Sequence, residues 1–137
     1  MDNLQNTIKL TRKVFNSNTF QKFNKFMSIL DDIAHLDIKN IRNTINNKDG
    51  FNKCLNLFVE LTLVYMVLKD NTDSELSIFY HMQEYEIDVD KILNLLEDPQ
   101  VIKYLDDDLR AKKRMNNKFT ESIEFLKRYK NWKYGTN

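Results

Sequence analysis

From Phe20 onward, apolar residues return at intervals of three and four: Phe23, Phe26, Met27, Leu30, Ile33 and Ala34. This rhythm predicts an amphipathic helix to about His35, with Asn18 or Thr19 as its cap. An earlier segment, about Asn3 to Phe15, sets Leu4, Ile8, Thr11 and Phe15 on one side and Lys9, Arg12 and Lys13 on the other. It reads as a further helix, broken at Asn16-Ser17-Asn18. Asp37 heads a short helix from Ile38 to Ile45, and Asn46-Asn47-Lys48-Asp49-Gly50 reads as a turn.

The next stretch, about 51–69, is apolar nearly all round, which predicts a central helix largely covered by its neighbours. Lys53, Asn56 and Glu60 share one side of it and read as a narrow solvent stripe. Thr72-x-x-Glu75 matches a capping box ahead of Leu76, Ile78, Phe79, Met82 and Tyr85. Asp88 heads a short helix carrying Val89, Ile92, Leu93, Leu95 and Leu96, and Asp98-Pro99 is a cap followed by a first-turn proline. The stretch from Asp106 to Tyr134 predicts one long helix, or two jointed near Asn116-Asn117.

The pattern as a whole predicts an all-α fold, a compact bundle of about five to six helices around the apolar central helix. Two glycines and one proline in 137 residues supply too few turns for hairpins or a doubly wound sheet. The length suits one domain, 1–137, with no second core. A membrane span needs roughly 20 apolar residues, and the run from Cys54 to Leu68 is shorter and interrupted by Asn56, Glu60 and Thr62. The chain begins without a basic segment followed by an apolar run, and its one cysteine, Cys54, cannot close an internal disulfide. These features favour a cytoplasmic, reducing location. The 17 Asn, 16 Lys and 11 Ile against 5 Arg follow AT-rich codons and suggest an AT-rich genome, such as that of a low-GC bacterium, phage, plasmid or virus.

Charge changes the picture more than composition does. From Asp70 to Asp108 there are 12 acidic and 2 basic residues, a net of −10; from Leu109 onward there are 9 basic and 2 acidic, a net of +7. The overall +1 conceals this segregation, which points to electrostatic choice of a partner. Arg110, Lys113, Arg114 and Lys118 fall on one helical face, and Lys127, Arg128 and Lys130 follow, interleaved with Tyr129 and Trp132. Two readings are open for these cations. They can contact nucleic acid through phosphates and stacked bases, or they can pair with the acidic segment while the aromatics enter the core. In the acidic segment, Asp73, Asp88, Asp98 and Asp106 suit helix caps, whereas the run Asp106, Asp107 and Asp108 exceeds what one cap needs.

Catalytic chemistry finds little foothold. Asp32-x-x-His35 and His81-x-x-Glu84 each pair a carboxylate with an imidazole, and Glu60 could complete a metal site. The repeated Glu-x-x-His of di-iron bundles is missing, however. His81 has no neighbouring nucleophile, and the glycines are too few for a phosphate loop. The length and buried central helix resemble the architecture of viral Bcl-2-like proteins. Asn131-Trp132 is followed by Lys133 and not by Gly-Arg, so that family's groove motif is missing and no membership is drawn.

The expectation is therefore a non-enzymatic interaction or regulatory protein that binds a protein partner or a second copy through its charge-segregated helical surface, with no cofactor. Nucleic-acid binding by the basic C-terminal helix is the alternative. An enzyme with a site near Glu60 and His81 ranks last.

Overall fold

The computed structural model describes residues 17–37, 39, 48–107 and 118–135, with the backbone alone at 48–51 and 104–107. Its helices run in the order α1 (Ser17–Ala34), α2 (Lys48–Asp70), α3 (Glu75–Met82), α4 (Val89–Leu96), α5 (Pro99–Asp107) and α6 (Lys118–Tyr134). There is no strand among the described residues. The helix expected at about 3–15 lies outside the described residues, as do the stretch 108–117 ahead of α6 and, apart from Lys39, the helix expected at 38–45; the Lys39 amide donates to the Asp37 carboxylate at 2.9 Å.

Helix α1 buries the face its sequence announced: Phe23, Phe26, Met27, Ile29, Leu30 and Ile33. It begins at Ser17, ahead of the Asn18 and Thr19 expected to cap it. α1 and α2 pack most extensively against each other, α6 closes over α2 and α4, and α4 also rests on α1. One continuous core results, with Phe58, Leu61 and Leu68 of α2, Met82 of α3, Ile92 and Leu96 of α4 and Leu126 of α6 all fully buried. Aromatic rings knit the layers. Phe125 of α6 lies with ring centroids 4.9 Å from Tyr65 of α2, 5.3 Å from Phe79 of α3 and 5.9 Å from Phe26 of α1.

Short polar links terminate the helices. Ser74 is the cap of α3, its hydroxyl accepting from the Leu76 amide at 3.2 Å. The expected Thr72 capping box does not form: Thr72 donates its hydroxyl back to the Leu68 carbonyl at 2.6 Å, and Glu75 turns to Arg128. Asp73 is therefore no cap either. Asp88 and Asp98 cap as expected, accepting from the Lys91 amide at 3.0 Å and from the Gln100 and Val101 amides at 3.0 and 3.2 Å. Gly135, at φ +73°, follows Tyr134 in the left-handed conformation that commonly ends a helix.

Two differences concern α2. Lys48, Asp49 and Gly50 form its first turn and not the end of a loop. In addition, its cover is incomplete. Lys53, Asn56 and Glu60 are exposed, as their spacing predicts, but the same line continues through Leu63 and Val67, which are 42% and 39% exposed. Hydrophobicity marks a residue as fit for burial without saying that a neighbour is placed to bury it. Among the described residues, no helix is long and apolar enough to cross a membrane.

Candidate functional site

Helix α6 carries most of the described part of the basic segment, and Lys127, Arg128 and Lys130 on it face the acidic one. Lys127 lies 3.1 Å from Glu97 just past α4, Lys130 pairs with Asp90 of α4, and Arg128 lies 2.7 Å from Glu75 of α3. Lys118 sits 3.3 Å from Glu121 on its own helix, and Lys69 of α2 reaches Glu121 at 3.7 Å. The segregation seen along the sequence is thus folded back on itself: charges far apart in the chain become neighbours. Asp90 holds the Lys130 ammonium above the usual lysine range by hydrogen bonding, and Lys118, aided by Lys69, holds the Glu121 carboxyl below the usual carboxylate range.

Arg128 is the most constrained of these groups. Its Nε donates to both oxygens of Glu75, at 3.1 and 3.0 Å, and its second guanidinium arm donates to Oε1 at 2.7 Å. Tyr65, a ring only 2% exposed, lies beside it. Bonding to Glu75 raises the Arg128 pKa; burial, the larger influence on Tyr65, raises that of the phenol. A small cavity of about 260 Å³ lies here, lined by Tyr65, Lys69, Thr72, Asp73 and Arg128 among others. Arg128→Lys keeps the charge and loses the planar fork, so urea unfolding is expected to show a loss of about 1 kcal/mol. A variant as stable as the parent would mean that the fork contributes nothing measurable.

Trp132 projects from α6 one turn beyond Arg128. Its ring packs 5.4 Å from Phe79, meets Tyr80 edge-on at 5.3 Å and stacks at 28° on Tyr129. Tyr80 and Trp132 remain half-buried, and Leu76, one helical turn before Tyr80, is 47% exposed. Together they form a small apolar and aromatic surface beside the Arg128–Glu75 pair. Sequence reasoning named Arg128 and Trp132 but missed Leu76, Tyr80 and Glu75. Leu76 fits the apolar rhythm of α3, and nothing in that rhythm says it stays in solvent.

The remaining candidates divide. Asp106 and Asp107 fall in the last turn of α5, so Asp106 does not begin a new helix. Their side chains, together with Asp108, Arg110, Lys113 and Arg114, lie outside the described residues. Glu60 is exposed, and His81 is 4% exposed, packed against Phe20 and Phe23 at 5.2 and 5.6 Å. Glu60 instead lines a groove of about 550 Å³ with Asp32, His35, Lys53 and Asn56. Phe20 and Asp32 are twelve residues apart on α1, or about 18 Å at 1.5 Å per residue, so Glu60 and His81 do not converge. Asp32, His35 and Glu60 share that groove, yet among the described residues no three such groups come close enough to hold a metal ion. Cys54 is 1% exposed, and burial pushes its thiol up to about 11, away from the reactive thiolate.

Comparison of the chain with protein-family models, with curated proteins and with solved structures finds no match.

Proposed function

We propose that this protein is a non-enzymatic binding module that docks a protein partner on the face shared by α3 and α6. The observation that carries the reading is the exposed Leu76 beside the half-buried Tyr80 and Trp132, bordered by the Arg128–Glu75 pair. Tryptophan, tyrosine and arginine dominate binding energy in protein interfaces because they cover large area at small entropic cost. The rim supplies both signs of charge, through Lys130–Asp90 and Lys127–Glu97 as well as Arg128–Glu75, and this favours a partner with alternating charges. A buried free thiol at Cys54 fits a reducing compartment.

Nucleic acid is less well served by this face. Phosphates would compete with the carboxylates already paired to Lys127, Arg128 and Lys130, and the Trp132 ring is flanked by Phe79 and Tyr129 where a base would stack.

Leu76→Asp is the decisive variant, because so exposed a side chain contributes little to folding. Binding to a partner retrieved from the native host, or self-association measured by light scattering, is expected to weaken by about tenfold or more with the circular dichroism unchanged. Binding that survives both Leu76→Asp and Tyr80→Ala would remove this face from the reading. Salt-sensitive oligonucleotide binding, abolished by converting Arg110, Lys113 and Arg114 to Glu, would shift the function to nucleic acid.

A further inference from the structure

The cavity between α2, α3 and α6 offers chemistry that the α3–α6 face does not use. Its floor is Tyr65 of α2, Ile78 of α3 and Phe125 of α6, each 2% exposed or less. Lys69, Asp73 and Arg128 stand around it and are exposed. We propose that this space of about 260 Å³ is a binding site for a small zwitterion of the free α-amino acid class. The site shares Arg128 with the docking face but does not depend on a partner there.

Groups of opposite sign border this cavity without pairing across it. Asp73 makes no ion pair and no hydrogen bond among the described residues, and Ser74, not Asp73, caps α3. Lys69 lies four residues before Asp73, yet its ammonium turns to Glu121, at 3.7 Å and beyond hydrogen-bond length. On Arg128, the three bonds to Glu75 engage Nε and one arm, so the other arm keeps its donors, with Tyr65 beside it. Spare donors on Lys69, Arg128 and the Tyr65 phenol thus share one small space with a spare carboxylate on Asp73. A ligand carboxylate set among the cations gains charge-assisted hydrogen bonds, and a ligand ammonium beside Asp73 gains the same on the other side. A ligand with one of these charges satisfies one set only, so the arrangement selects a molecule that carries both. The lining charges balance, Lys69 and Arg128 against Asp73 and Glu75, which suits a ligand with no net charge. Ile78 and Phe125 give its side chain an apolar rest, and the volume favours a small one.

Titration of the full chain, labelled with nitrogen-15, against each of the common free L-amino acids tests the site through its amide shifts. At least one with a small side chain should approach saturation by about 10 mM and move the amides around Lys69, Asp73 and Arg128. The matching deaminated acid and decarboxylated amine each keep one charge, and both should bind about tenfold more weakly or worse. Lys69→Met and Asp73→Asn change exposed positions, so circular dichroism should stay as in the parent while amino-acid binding weakens about tenfold in each. Asp73→Asn should not weaken the deaminated acid, because that analogue has no ammonium to lose a partner. A single-charge analogue that binds as well as the amino acid overturns the proposal and describes a simple ion site. Shifts confined to other parts of the chain, or no saturation by any amino acid, overturn it too and leave the docking reading of the α3–α6 face untouched. Should a variant fail to fold, the analogue comparison and the shift map in the parent decide.

Discussion

Replacing Phe125 with alanine is expected to cost about 3–5 kcal/mol of folding stability, a large part of the 5–15 kcal/mol available to a domain of this size. Phe125 is 1% exposed and touches rings from three other helices: Phe26 of α1, Tyr65 of α2 and Phe79 of α3. Truncation removes the transfer energy of the ring and leaves a void. The surrounding aromatics are anchored on separate helices and cannot all move in to fill it. Phe125→Leu, which keeps most of the volume, should cost far less. Urea denaturation monitored by circular dichroism measures both. As an internal comparison, Phe119 stacks on Phe58 at 5.6 Å but is only half-buried, so Phe119→Ala should cost clearly less than Phe125→Ala. Similar losses at the two positions would argue that the ring cluster is not the structural centre of the bundle.

The second large effect lies at alkaline pH. Burial raises the Cys54 thiol from 9.0 to about 11 and, with a smaller push from Tyr134, the Tyr129 phenol from 10.0 to about 12. Both groups are neutral when protonated, and folding favours that form. Their contribution is therefore complete below pH 9 and is lost as the pH rises through 9–11 for Cys54 and 10–12 for Tyr129. Shifts of this size correspond to about 2–3 kcal/mol for each group across its window. The Tyr129 hydroxyl is also buried with no hydrogen-bond partner among the described residues, a cost that the folded state carries at every pH. Tyr129→Phe should therefore raise stability by about 1 kcal/mol at pH 7 and flatten the decline above pH 10. Lysine ion pairs such as Lys130–Asp90 weaken in the same direction, so the comparison of variant with parent, not the decline alone, isolates the phenol. A Tyr129→Phe protein with the parent's stability at both ends of the range would show that the hydroxyl is satisfied.

Much of this architecture was legible in the sequence, for a simple reason: helix identity depends on spacing. The three-and-four rhythm of Phe23, Phe26, Met27, Leu30 and Ile33 allows one buried face, and that is the face that packs. Asp88 and Asp98 announce their helices because a carboxylate two or three residues ahead of orphan amides has few other uses. Where a polar residue had two possible partners, local reasoning chose the near one and failed. Glu75 could close a capping box or meet an arginine 53 residues away, and it meets the arginine. Thr72 could cap the next helix or bond back to the one before, and it bonds back.

Candidate sites depend on which helices end up side by side, and spacing along one helix does not encode that. The segregation of an acidic middle from a basic end suggested charge available to a partner. In the fold, Lys127, Arg128 and Lys130 lie against Glu97, Glu75 and Asp90, because α6 packs across α3 and α4. Glu60 and His81 sat in one hypothesis only until α1 separated them, one near its start and the other near its end. The sequence by itself determined that this chain is helical, where α4 and α5 begin and which side of each helix seeks the core, since these follow from local hydrogen bonding and periodic burial. Only the tertiary structure decided which charges neutralise one another and which apolar residues, Leu63, Val67 and Leu76 among them, are left facing water. Burial and ion pairing are properties of neighbours in space, and the chain brings those neighbours together only by folding.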